Sequence, residues 1–248
     1  MVDAPREAAW ARLRAFSVHV LTASGVAFDF AAVALLSGPA PDPRVLFLLL
    51  MAPVVIDAVD GPLARRWAVA RWAAPIQGRT IDDIVDYLTF TFVPLLLVWR
   101  MGWLPRPAAA YVVVACVASL FGFANAAAKQ EDEGFFLGFP SYWNVFAFYA
   151  GLWAARHGTA PVAVACLLLS ALTVLPVRFI YPNLAPRPWR APLLAGAAVW
   201  LALLAAMLPS YPLPPAPLVW ASLVYPAFYV GLSVVLDRCG RRRGQPDA

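Results

Sequence analysis

Between Asp57 and Tyr87 the chain places five carboxylates, Asp57, Asp60, Asp82, Asp83 and Asp86, inside two otherwise apolar stretches. The 248 residues contain only 14 Asp plus Glu and are 62% hydrophobic. A carboxylate at the centre of a spanning helix costs roughly 2.5–3.5 kcal/mol on insertion scales, so these groups should face a wet cavity, pair with cations or bind metal. Asp57 and Asp60 are three residues apart and Asp82 and Asp86 four apart, so on helices each pair shares a face. Gly61 and Ala64 follow the first pair at helical spacing, Gly78 stands one turn before Asp82, and Asp83 is turned off that stripe. The small residues leave room for a ligand or a close backbone approach. An oxygen-rich set with no His or Cys beside it in sequence suits Mg²⁺ or Mn²⁺ and not zinc. Two such ions, about 3.5–4 Å apart, clamp a phosphoryl group during in-line attack. Arg65 and Arg66 add phosphate-binding cations at the edge of the first acidic segment.

The elements that carry these residues are membrane helices. A mean hydropathy of +0.71 and 13% charged residues do not describe a water-soluble domain. Eight segments come near the roughly 20 apolar residues that span a bilayer. They are 16–36, 45–65, 82–99, 108–128, 140–156, 160–180, 191–208 and 216–236. The expected fold is an all-α integral membrane protein of about eight transmembrane helices, a single transmembrane domain over 1–248 with a loose basic tail at 241–248. The 24 prolines gather at segment ends and in loops, as helix punctuation. The three cysteines, Cys116, Cys166 and Cys239, are far apart and read as small packing residues.

Charge placement sets the expected orientation. With the N-terminus inside, the inner loops collect most of the 19 Lys plus Arg, leaving Arg44, Arg100, Arg106 and Arg156 outside. This positive-inside bias puts both termini in the cytoplasm and the basic loops against anionic head groups, which accounts for the net charge of +5 without nucleic acid.

Asp57-x2-Asp60-Gly61-x2-Ala64-Arg65 followed by Gly78-x3-Asp82-x3-Asp86 resembles the signature of the CDP-alcohol phosphotransferases, membrane enzymes that join a CDP-activated donor to an alcohol and release CMP. Twelve residues, Arg66 through Gln77, separate Arg65 from Gly78. This gap, Thr22–Gly25 (TASG), Asp82–Pro94 (DDIVDYLTFTFVP) and Gly138–Tyr149 (GFPSYWNVFAFY) resemble the bacterial phosphatidylcholine synthase branch. The resemblance implies CDP-diacylglycerol and choline as substrates and two Mg²⁺ or Mn²⁺ ions held by Asp57, Asp60, Asp82 and Asp86. It implies Asp86 as general base, and a CDP-diacylglycerol site at Gly61, Ala64, Arg65 and Gly78. It also implies a bacterial inner membrane location with the site facing the cytoplasm; a homodimer is an expectation carried by the resemblance alone. Two other readings stay open: the same chemistry on serine, glycerol phosphate or inositol phosphate, and a transporter with an acidic ion path.

Choline is a permanent cation with no N–H donor, best held by aromatic faces. Tyr142, Trp143, Tyr87 and Tyr149 are the candidate contacts, although Trp and Tyr also populate membrane interfaces for their own sake. Glu131 and Glu133 read as a solvated loop or as negative charge for the choline cation. His19, just before TASG, reads as an interfacial histidine with its hydrogen bonds met or as a residue that orients a head group, and Arg178 as a topology signal or a phosphate contact. Pro62, inside a helical pattern, should kink the chain. Asp29 lies deep in the first span, where a carboxylate is expensive, and the motif gives it no role.

Overall fold

The computed structural model describes residues 4–130, 133–182 and 184–243. Glu131 and the end of the basic tail lie outside the described residues, as do the side chains of Cys239 and of Arg241 to Arg243. The chain divides into two compact units, Met1–Arg100 and Met101–Ala248.

In the first unit α1 (Ala4–Ala23) and α2 (Gly25–Leu36) follow one another with only Ser24 between. Their buried face runs Ala15, Val18, His19, Thr22, Gly25, Asp29, Ala32 and Leu36, the three-to-four spacing of one helical stripe. A Cβ on Gly25 would lie 2.8 Å from Val85 Cγ1, so the missing side chain is what lets the next helices approach. Helix α3 (Pro43–Arg66) opens on Asp42, whose carboxylate accepts from the Arg44 N–H at 2.9 Å, with Pro43 at the first helical position. It continues through Pro62 to Arg66. A short α4 (Val69–Trp72) follows Ala68, which sits at φ 48°. Then α5 (Gly78–Asp86), a π-helical turn (Tyr87–Phe92) and α6 (Val93–Arg100) run in succession without a break. The Thr89 hydroxyl within the π turn donates to Asp29 Oδ2 at 3.0 Å. Asp29 is thus a tie between α2 and the π turn, not an exposed charge in lipid. The Arg100 guanidinium closes the end of α2 by donating to the carbonyls of Leu36 and Gly38 at 3.0 and 2.8 Å.

The second unit holds α7 (Ala108–Ala124), α8 (Trp143–His157), α9 (Ala160–Val174), α10 (Arg187–Met207) and α11 (Ala216–Arg243). It also holds a small antiparallel sheet that hydropathy did not foretell: β1 (Lys129–Gln130), β2 (Phe135–Leu137) and β3 (Arg178–Ile180), in that order. Phe135 pairs with Ile180 and Leu137 with Arg178. The apolar segment expected to run to 180 stops as a helix at Val174, because Pro176 holds Leu175 in an extended conformation. Arg178 is a staple and not a free cation. Its guanidinium donates to Gln130 Oε1 at 2.9 and 2.6 Å, pairs with Glu133 and with Asp237 at 3.5 Å, and lies 5.2 Å from the Phe135 ring centre. The Tyr229 hydroxyl donates to the Ile180 carbonyl at 2.9 Å, a second tie between the sheet and α11.

Among the described residues four helical stretches, Arg6–Leu36, Pro43–Arg66, Arg187–Ser210 and Ala216–Arg238, are long and apolar enough to cross a bilayer; Ala108–Ala124 and Ala160–Val174 are apolar but shorter. Phe30 and Trp220, each 72% exposed, stand on apolar faces that lipid would cover favourably. The chain is an all-α membrane protein with one small sheet in its second unit.

Candidate active site

Asp57 reaches the site from α3, and Asp82 and Asp86 from α5. Each offers a carboxylate oxygen, and these three oxygens lie within 4.8 Å of one another. All three residues are half-buried. Residues 82 and 86 share a face of α5 because four residues return almost to the same side of a helix. At a separation of 4.8 Å two carboxylates repel by about 3.5 kcal/mol at an effective dielectric constant of 20. A cation among the three carboxylates would relieve that repulsion. The donor set fits a hard divalent ion: carboxylate oxygens only, close enough to share one centre.

Asp60 does not join that group. Its Oδ2 accepts the Thr22 hydroxyl from α1 at 2.5 Å, and the residue is 6% exposed. Three residues along a helix turn a side chain by about 60°, enough for Asp57 to face α5 while Asp60 faces α1. Asp83, off the stripe as expected, lies 3.8 Å from Arg79 in an i, i+4 pair. The positions expected to cradle the donor divide in the same way. Arg65 folds back along Gly61, where an added Cβ would lie 3.6 Å from its guanidinium. Ala64 packs on the cluster of Ala15, Val18, Val69 and Ala73. Gly78 faces His19: a Cβ there would sit 2.5 Å from the imidazole Cε1. His19 is 7% exposed and its Nε2 has no hydrogen-bond partner, which corrects the reading of a satisfied interfacial histidine.

The aromatic candidates separate sharply. Trp143 is fully buried, donates its indole N–H to Ser119 Oγ at 2.7 Å and packs edge-on against Phe139 and Phe146. Tyr149 is 5% exposed; its hydroxyl meets Ser222 Oγ at 2.9 Å and accepts from Trp200 Nε1 at 3.1 Å. Both rings are closed in by packing and hydrogen bonds within the second unit. Tyr142 keeps 39% exposure with its ring edge-on to Phe139, and Tyr87 is half-buried in the residue after Asp86. Glu133 belongs to the Arg178 staple. A cavity of about 440 Å³ in the second unit, at the ends of α7 and α9, has no titratable lining residue. Sequence reasoning passed over the hydrogen bonds that Thr22 and Thr89 make. The signal was there in the polar series His19, Thr22 and Asp29, which keeps to one side of an otherwise apolar helix.

The fold and the site define a class first: a helical membrane protein with a carboxylate cluster between two of its helices. A scan against protein-family models finds no match. Among curated proteins the chain is similar to the phosphatidylcholine synthase of Pseudomonas aeruginosa, 36% identical over 172 residues, covering 69% of this chain and 70% of that one. It is 33% identical over 179 residues to that of Rhizobium meliloti, covering 71% and 72%. With that of Agrobacterium fabrum it shares 35% identity over 199 residues and 78% of each chain. The chain belongs to the phosphatidylcholine synthase family.

Proposed function

We propose that this enzyme transfers the phosphatidyl group of CDP-diacylglycerol to choline, forming phosphatidylcholine and CMP. The observation that carries the reading is the convergence of Asp57, Asp82 and Asp86 within 4.8 Å, in a chain of this family. Asp57, Asp82 and Asp86 would hold Mg²⁺ or Mn²⁺, and a second ion would draw on Asp60. When bound, such ions neutralise pyrophosphate oxygens and ease the departure of CMP.

The residues supply the rest. Arg65, lying along Gly61, pairs with a donor phosphate and orients it. Asp86 accepts the proton of the choline hydroxyl as its oxygen attacks the phosphorus that bears diacylglycerol. The bond from that phosphorus to the bridging oxygen breaks, and CMP leaves with the electron pair. A positioned general base contributes about 10²–10⁴-fold, and orientation and electrostatic stabilisation contribute the remainder. Thr22 holds Asp60 at a fixed angle from α1. Tyr87, next to Asp86 and half-buried, is the aromatic face of the first unit that choline would meet. The same reading places the protein in a bacterial inner membrane with both termini and the site at the cytoplasmic side, and includes a homodimer; cysteine accessibility and light scattering test those two parts.

The deciding experiment is CMP release by the purified chain from CDP-diacylglycerol. The expected result is release that needs a divalent cation and choline. Consumption of serine, glycerol phosphate or inositol phosphate in place of choline would refute the acceptor, and no CMP with any acceptor would refute the reaction.

A further inference from the structure

Among the described residues of the first unit, His19 has a buried ring nitrogen that the proposed reaction leaves unexplained, and its ring edge lies against Gly78. Its Nε2 is buried without a partner, and its ring is 7% exposed. Leaving a buried imidazole nitrogen without a hydrogen bond is costly, so such a group calls for a reason. The ring occupies the space in which a side chain at position 78 would stand: an added Cβ would lie 2.5 Å from Cε1, 3.0 Å from Nδ1 and 3.8 Å from Nε2. Positions 78, 82 and 86 succeed one another at four-residue steps, so that space lies on the same stripe as Asp82 and Asp86, one turn toward the start of α5. No side chain caps that helix: Gln77 precedes it without a capping hydrogen bond. A helix start favours anions through its N–H groups and dipole. The edge of a buried imidazole and an uncapped helix start therefore meet at Gly78.

We propose that His19 is a binding residue for the donor nucleotide, with its Nε2–H donating a hydrogen bond to a phosphate oxygen of CDP seated at the start of α5. This rests on the transfer reaction above. Gly78 is then required because any side chain there would displace the ring that reads the phosphate, and Thr22, one turn further along α1, orients Asp60 from the same face.

Two amide variants separate a ligand contact from packing. His19→Gln keeps a donor near the Nε2 position, whereas His19→Asn keeps one near Nδ1 only. Binding of CDP and of cytidine to the full-length protein in detergent is measured by calorimetry with Mg²⁺ present, and KM is measured for CDP-diacylglycerol and for choline. His19→Asn is expected to weaken CDP about 10- to 100-fold, the range for losing a hydrogen bond to a charged group. His19→Gln should stay within about threefold of the unaltered protein, with cytidine affinity and the choline KM unchanged in both. If His19→Asn does not fold, His19→Ser carries the same expectation. Equal CDP affinity in all variants overturns the proposal. So does equal loss in Gln and Asn, which marks packing, or equal loss of cytidine, which marks a base contact. An unaltered protein that binds no CDP and releases no CMP refutes the underlying reaction as well; one that turns over normally with His19→Asn refutes only the contact.

Discussion

Replacing Asp82 by Asn should stabilise the metal-free protein while removing its activity. The charge on Asp82 faces two others, on Asp57 and Asp86, at no more than 4.8 Å. Each pair repels by about 1 kcal/mol at the dielectric constant of water and about 3.5 kcal/mol at an effective value of 20. Asp82→Asn deletes two of the three pairs, a relief of roughly 2–7 kcal/mol if all three groups are ionised. The groups are half-buried and screened, so the low end applies: about 2 kcal/mol, or roughly 4–8 °C for a chain of this size. The assay is a tryptophan-fluorescence melt in excess chelator and again across a Mg²⁺ or Mn²⁺ titration. The unaltered protein should melt lower than the variant in chelator and rise as the cation is added, by about 2.7 kcal/mol at a hundred times its dissociation constant. Asp82→Asn should start higher and respond little. An unaltered protein indifferent to both cations, together with a variant that melts lower in chelator, would show that the three carboxylates are not held together at a cost and would refute the metal-site reasoning.

Thr22→Val removes the hydroxyl that meets the buried Asp60 at 2.5 Å; it should destabilise by about 1–3 kcal/mol and lower turnover, with Thr22→Ser restoring both, as melts and CMP assays would report. Gly138→Ala should lower the melting temperature through the second unit alone, because Gly138 sits at φ +87° and a Cβ there would lie 2.4 Å from the Thr173 carbonyl oxygen; about 1–3 kcal/mol of strain is expected, with metal-dependent stabilisation intact. Arg178→Met leaves Asp237 and Glu133 without their cation and should cost about 1–3 kcal/mol, read as faster hydrogen exchange across β1 to β3; unchanged exchange would refute the staple.

Which carboxylates share a helix face was legible in part because the signals are local. Spacings of three and four residues state which side chains share a helix face, and a scarcity of charge in an apolar chain makes each remaining carboxylate informative. That logic grouped Asp82 with Asp86 and set Asp83 aside. It treated Asp57 and Asp60 as equivalent, and here it lacked the decisive fact, since a turn of about 60° matters only once the neighbours of α3 are known. The aromatic candidates were not separable from one another for a related reason. A Tyr or Trp at a segment end has the same local pattern whether it lines a binding site, faces lipid or fills a core, and burial alone tells Trp143 from Tyr142.

By itself, the amino-acid sequence determined that this chain lives in a membrane, that its helices fall near the eight apolar segments, and that Asp82 and Asp86 share one helix face. Those follow from hydropathy and periodicity, which depend on neighbours along the chain. Only tertiary structure decided that Asp57 joins Asp82 and Asp86 while Thr22 takes Asp60, that His19 fills the space over Gly78, and that Arg178 is bound within a three-stranded sheet. Strands of two or three residues are too short to show a period, and partners 38 or 48 positions apart meet only when the helices pack.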